Sequence, residues 1–191
     1  MKQKHIGILL LLFIIGYSPL FSQEKNKILN FGHKLTIGNY NSYTNDNIGI
    51  IEAGYDFVLN FPYLNENYNL MDYGIGLSGL FAFDGTENLR SPVLGLGVNG
   101  GMRLFSQYFW KTRVFLEGIM SLVIYSKEYP ENGTIVNGGW HLGGGLEYSI
   151  NGDTNIFMAI RWFHTSNNDI YGRDRNPSIN AVGIGIGLIL K

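Results

Sequence analysis

The segment Asn180-Ala181-Val182-Gly183-Ile184-Gly185-Ile186-Gly187-Leu188-Ile189-Leu190 decides the fold. Successive side chains of a β-strand point to opposite faces. One face therefore carries Val182, Ile184, Ile186, Leu188 and Leu190, while Gly183, Gly185 and Gly187 fall on the other. A strand that is apolar outside and nearly bare inside suits the wall of a narrow barrel, where glycines leave room for bulky neighbours in the lumen.

Working outward, the same split recurs. Pro92 to Leu104 sets Leu94, Leu96, Val98, Met102 and Leu104 against Gly95, Gly97, Asn99, Gly101 and Arg103. Thr112 to Ile124 puts Val114, Leu116, Met120, Leu122 and Ile124 on one face and a mixed set with Arg113 and Glu117 on the other. Asn137 to Ser149 places Trp140, Leu142, Leu146 and Tyr148 outward and His141 and Glu147 inward. Less regular strands are expected over Leu29–Asn39, Ile48–Asn60, Met71–Phe83 and Thr154–Ser166. The reading is all-β: an eight-stranded antiparallel transmembrane β-barrel, with an even strand count that leaves both termini in the periplasm.

The inward set Glu52, Asp56, Arg103, Arg113, Glu117, His141, Glu147 and Arg161 is nearly balanced in charge. Such groups are tolerable inside a narrow barrel only if they pair. A lipocalin-like barrel or soluble sandwich would need the opposite arrangement, apolar within and polar without. Asn151-Gly152-Asp153 reads as a tight hairpin turn, whereas Thr165 to Pro177 is a long polar excursion. Short turns belong to the periplasmic end and long loops to the outside.

Met1 to Gln23 reads as a secretory signal, with Lys2, Lys4 and His5 ahead of an apolar run from Ile6 to Gly16 and cleavage expected near Ser22. Residues 1–22 are then the signal and 23–191 the barrel. The chain has no cysteine, so stability comes from pairing and packing without disulfides. Beyond the signal, twelve Lys and Arg face fifteen Asp and Glu, a formal charge of −3. No nucleic acid is expected as a partner, since phosphate binding needs a concentrated basic patch. His5, His33 and His141 show no metal-ligand spacing, and the glycine runs lie within strands with no helix to receive a phosphate. Neither a metal nor a cofactor is expected.

Chemistry is expected between Ile156 and Asn180. Parity carries Ile156, Met158, Ile160 and Trp162 on to His164 and Ser166, so all six face outward. Residues two apart on one strand face are ~7 Å apart at Cα, within reach of an imidazole–hydroxyl contact. Asn180 shares the outward parity of Val182. Counted from a periplasmic N-terminus, the seventh strand rises and the eighth descends, which puts these residues at the outer leaflet.

The wider pattern is His164-Thr165-Ser166-Asn167, then Asn176-Pro177-Ser178-Ile179-Asn180, then the alternating glycine strand. This resembles the outer-membrane lipid A 3-O-deacylase family over the 27 residues from His164 to Leu190. The resemblance implies an esterase that removes the ester-linked 3-hydroxyacyl chain of lipid A with a Ser-His-acid triad on the barrel's outer wall. It implies Ser166 as nucleophile, His164 as general base, Asn176 or an amide near it as oxyanion donor, and Asn167 as a supporting residue. The family's acid aligns with Asn180, and Asp169 or Asp174 could substitute from a loop that is slightly longer here. Trp162, on the same outward face, is a candidate substrate contact. Arg173 and Arg175 could contact glycolipid phosphates, the alternative being a solvated loop of mixed charge. The implied partner is lipid A or lipopolysaccharide in the membrane, with a homodimer left open. The rival expectation is a non-catalytic barrel with a structural or surface-binding role.

Overall fold

The structure, a computed structural model, describes residues 30–44, 48–61, 71–84, 92–130, 132–170, 172 and 176–191. The expected signal segment lies outside these residues. Eight strands follow one another: β1 (Asn30–Ser42), β2 (Ile48–Phe61), β3 (Met71–Asp84), β4 (Val93–Phe105), β5 (Thr112–Tyr129), β6 (Thr134–Ser149), β7 (Thr154–Ser166) and β8 (Ile179–Leu190). Each pairs antiparallel with the next, and β1 pairs with β8, so the sheet closes into a barrel in chain order. The alternation read from the sequence holds on every strand. Large apolar side chains such as Ile75, Leu96, Leu116, Ile160 and Ile184 are exposed around the whole wall. A continuous apolar surface of this kind belongs against lipid.

The hairpin of β5 and β6 extends further than its periodicity indicated. Pairing shifts register between Ile124 and Tyr129, and Ser126, Lys127 and Glu128 are all exposed in the irregular stretch. Beyond it Tyr129 pairs with Thr134. Asn137 braces the extension: its Nδ2 donates to Tyr129 O at 2.6 Å and to Thr134 O at 2.9 Å, and it accepts from Thr134 Oγ1 at 3.0 Å.

Every one of the eight inward charged residues expected from parity is buried, and Lys34 and Asp72 join them. Arg103 bridges Asp72 at 2.7 Å and Glu147 at 3.4 Å, Arg113 Nε donates to Glu147 at 2.9 Å, and Lys34 meets Asp56 at 2.6 Å. Arg161 holds both carboxylate oxygens of Glu117. Tyr40 donates to Glu52 at 3.0 Å, and His141 lies 3.7 Å from the same carboxylate. The lumen is not charged throughout, however. An apolar cluster that includes Tyr40, Ile50, Leu80, Val123, Tyr125 and Phe163 fills the end near Ser166. A second cluster, Phe105, Phe115, Phe157, Ala159 and Ile189, fills the end near the termini. Charged groups lie between the clusters and among the rings of the second, where Arg103 sits over Phe105, Phe115 and Phe157, and each buried arginine and lysine finds a carboxylate on an adjacent strand or across the lumen.

Candidate active site

β7 and β8 hold the outward polar residues singled out by parity. Thr165 pairs with Ile179 and His164 with Asn180, so the imidazole and the Asn180 amide stand side by side on the outer face of the barrel. His164 Nδ1 lies 2.9 Å from Asn180 Oδ1, and His164 Nε2 lies 3.1 Å from Ser166 Oγ. Strand geometry alone produces the first contact. The second follows from two side chains on one face of one strand. All three are half-buried. The amide oxygen accepts from Nδ1–H, which leaves the lone pair of Nε2 facing the serine hydroxyl. That is the arrangement a general base needs to take a proton from a nucleophile.

Further residues complete the surroundings, and those from the end of β1 were not singled out by parity. Closure of the barrel brings the end of β1 against β8. There Tyr43 N donates to Asn180 O at 3.0 Å, Ser42 Oγ to Asn180 O at 3.2 Å, and Asn180 N to Thr44 Oγ1 at 3.0 Å. Trp162 stacks on the His164 ring with centroids 5.6 Å apart, and its Nε1 donates to Tyr43 OH at 2.9 Å. Across β6, Trp140 is the partner of His164 and Gly138 the partner of Ser166. With no side chain at Gly138, that flank of the serine is open. Tyr43 and Thr44 carry no local signal, because their role arises from residues more than a hundred positions away in sequence.

The loop after Ser166 behaves differently from its expected parts. Asn168 and Asp169 adopt positive φ of 54° and 61°, a conformation that Asn and Asp tolerate, and turn the chain sharply. The Asn167 side chain is buried toward the barrel mouth and donates to Thr134 Oγ1 at 3.3 Å, away from the outer wall. Asn176 staples the loop: its Oδ1 accepts from Asn167 N at 2.8 Å and its Nδ2 donates to Asp169 at 2.7 Å. Asp169 thus faces Asn176, while Asn180 is the residue against His164. Arg173, Asp174 and Arg175 lie outside the described residues. Below the His164–Asn180 pair, along the same β7–β8 seam, the wall carries an apolar recess between Ile156, Met158, Ile186, Leu188, Leu35 and Ile37.

The family profile of PagL, lipid A 3-O-deacylase, matches residues 13–188. This chain belongs to the lipid A 3-O-deacylase family. Among solved structures, the crystal structure of the outer membrane enzyme PagL matches with a TM-score of 0.59 at 12% identity, over 81% of this chain and 97% of that one. The crystal structure of Neisserial surface protein A gives 0.51 at 10% identity, over 84% and 95% of the two chains. At such identities the likeness is one of fold. No curated protein matches the sequence. The lipid A 3-O-deacylase family membership and the barrel together make this an outer-membrane protein of a hydrolase family.

Proposed function

We propose that this family member hydrolyses the ester-linked 3-hydroxyacyl chain of lipid A by a Ser/His mechanism at its lipid-facing wall. The observation that carries the reading is the bridging imidazole of His164, 3.1 Å from Ser166 Oγ and 2.9 Å from Asn180 Oδ1. Ser166 Oγ attacks the ester carbonyl as its proton passes to His164 Nε2. The resulting oxyanion collapses and expels the sugar oxygen, which takes the proton back from Nε2. Water, deprotonated by the same nitrogen, then cleaves the acyl-enzyme and releases the hydroxy acid. Asn180 fixes the tautomer and orientation of the imidazole but brings no charge to offset the imidazolium. One amide hydrogen of Asn176 is committed to Asp169, and the other is the candidate donor to the oxyanion.

The long-loop end faces outward in this reading, so a lipid in the outer leaflet reaches Ser166 by lateral diffusion, past the open flank at Gly138. Its acyl chains lie along the apolar wall, and the recess under the β7–β8 seam accepts hydrocarbon. Trp162 would border those chains. Export would be directed by the N-terminal signal, which is then removed near Ser22.

The test is mass spectrometry of lipid A from cells expressing the natural chain, Ser166→Ala or His164→Ala. Loss of one hydroxyacyl chain is expected with the natural chain alone. Lipid A unaltered in all three strains, with the barrel folded in the outer membrane, would leave the non-catalytic barrel, which the neutral Asn180 at the acid position favours.

A further inference from the structure

Two polar side chains on the lipid-facing wall have no part in the trio. Asn39 and Asn41 occupy outward positions on β1, and both are exposed. Neither side chain makes a hydrogen bond to another described residue. Other outward polar groups on this wall are engaged. His33 meets Tyr55 OH at 2.6 Å, Ser126 accepts from Leu94 N at 3.1 Å, and His164, Ser166 and Asn180 bind one another. A primary amide turned to hydrocarbon without a partner is strongly disfavoured, and polar groups at membrane depth mark ligand sites.

Their placement ties them to the site. Asn41 pairs with Val182, itself the partner of Trp162, and Asn39 pairs with Ile184, the partner of Ile160. The two amides therefore sit one strand over from Asn180 and two and four residue pairs further from the loop end, ~7 Å apart along β1. Asn41 is bordered on one side by the Tyr43–Trp162 pair. On the other, the Phe83 ring covers Gly49, its cross-strand neighbour.

We propose that Asn39 and Asn41 form a second binding site, which takes the amide, ester or hydroxyl groups of an acyl chain of the substrate lipid other than the one that is cut. This rests on the deacylase reading above. A primary amide both donates and accepts, so a pair spaced along the strand matches groups repeated along a polyacylated lipid. A second protein seated on β1 here would stand against Tyr43 and Trp162 and obstruct the lateral approach to Ser166, which favours a lipid as occupant.

The test uses the full chain in lipid vesicles and two probes, purified lipid A and the 4-nitrophenyl ester of a single fatty acid. Valine suits an outward strand position, so Asn39→Val/Asn41→Val should fold, as heat-dependent gel mobility will verify. The expected result is a fall of about tenfold in the ratio of kcat/KM for lipid A to that for the simple ester, carried by KM. An unchanged ratio overturns the proposal, and so does an unchanged ratio accompanied by conversion of a cross-linkable dimer to a monomer. An equal fall on both probes also overturns it, since that would mean the amides position the trio. Native mass spectrometry of lipid A bound to Ser166→Ala, with and without the two valines, separates this question from turnover. Retention weakened about tenfold by the valines supports the site even if the chain proves inactive, and equal retention refutes it.

Discussion

His164 has two ring nitrogens, and its neighbours decide what each does. Asn180 Oδ1 lies 2.9 Å from Nδ1 and suits a proton there, which in the proposed mechanism frees Nε2 to serve Ser166 at 3.1 Å. In that mechanism asparagine secures the tautomer as a carboxylate would, but leaves the imidazolium uncompensated when the proton arrives. Asn180→Asp is isosteric and adds the missing charge, so kcat for lipid A deacylation should rise by roughly tenfold or more, read from initial rates in detergent micelles. Asn180→Leu should lower it steeply, since the ring then loses its orienting acceptor. Equal rates in all three proteins would remove Asn180 from the mechanism. The relation of His164 to Ser166 could be read from parity, because it depends on one strand. The choice of Asn180 over Asp169 could not, because it depends on how the loop folds and which carboxylate Asn176 takes.

The β5–β6 hairpin stiffens the loop end. Asn137 ties Tyr129 and Thr134 together, and Thr134 in turn accepts the buried Asn167 amide, the residue after Ser166. Replacing Asn137 by Ala leaves two buried carbonyls without that donor. A loss of about 1–3 kcal/mol is expected, measured as a lower urea midpoint in vesicles. Cleavage by added protease near Gly133 should also increase. Strand existence was legible everywhere that a period of two persisted. The extension past Ile124 was not, since a register shift breaks the alternation and turns Ser126, Lys127 and Glu128 all toward solvent.

For the whole molecule the lumen is a filled plug, apolar at the end near Ser166 and mixed aromatic and ionic toward the termini. Glu147, fully buried, accepts from Arg103, Arg113, Tyr108 and Asn155 and so joins four strands or turns through one carboxylate. Glu147→Ala strands an uncompensated guanidinium and should reduce stability by about 3–5 kcal/mol, seen in the urea midpoint. Planar-bilayer recordings should stay at baseline for the natural chain, because Arg161, Tyr40, Phe115 and Phe163 fill the cross-section.

The sequence by itself determined the strand count, the side each residue faces and the luminal charge set, because alternation is a local property of extended backbone and the solvents on its two faces differ. It also placed Ser166 and His164 on one wall. Only the tertiary structure decided what closure brings together: β1 against β8, with Tyr43 and Thr44 holding Asn180, and Asn39 and Asn41 beside the site. These contacts join residues more than a hundred positions apart, and nothing in either segment's own pattern specifies its partner. Their register follows from the closure of the whole sheet.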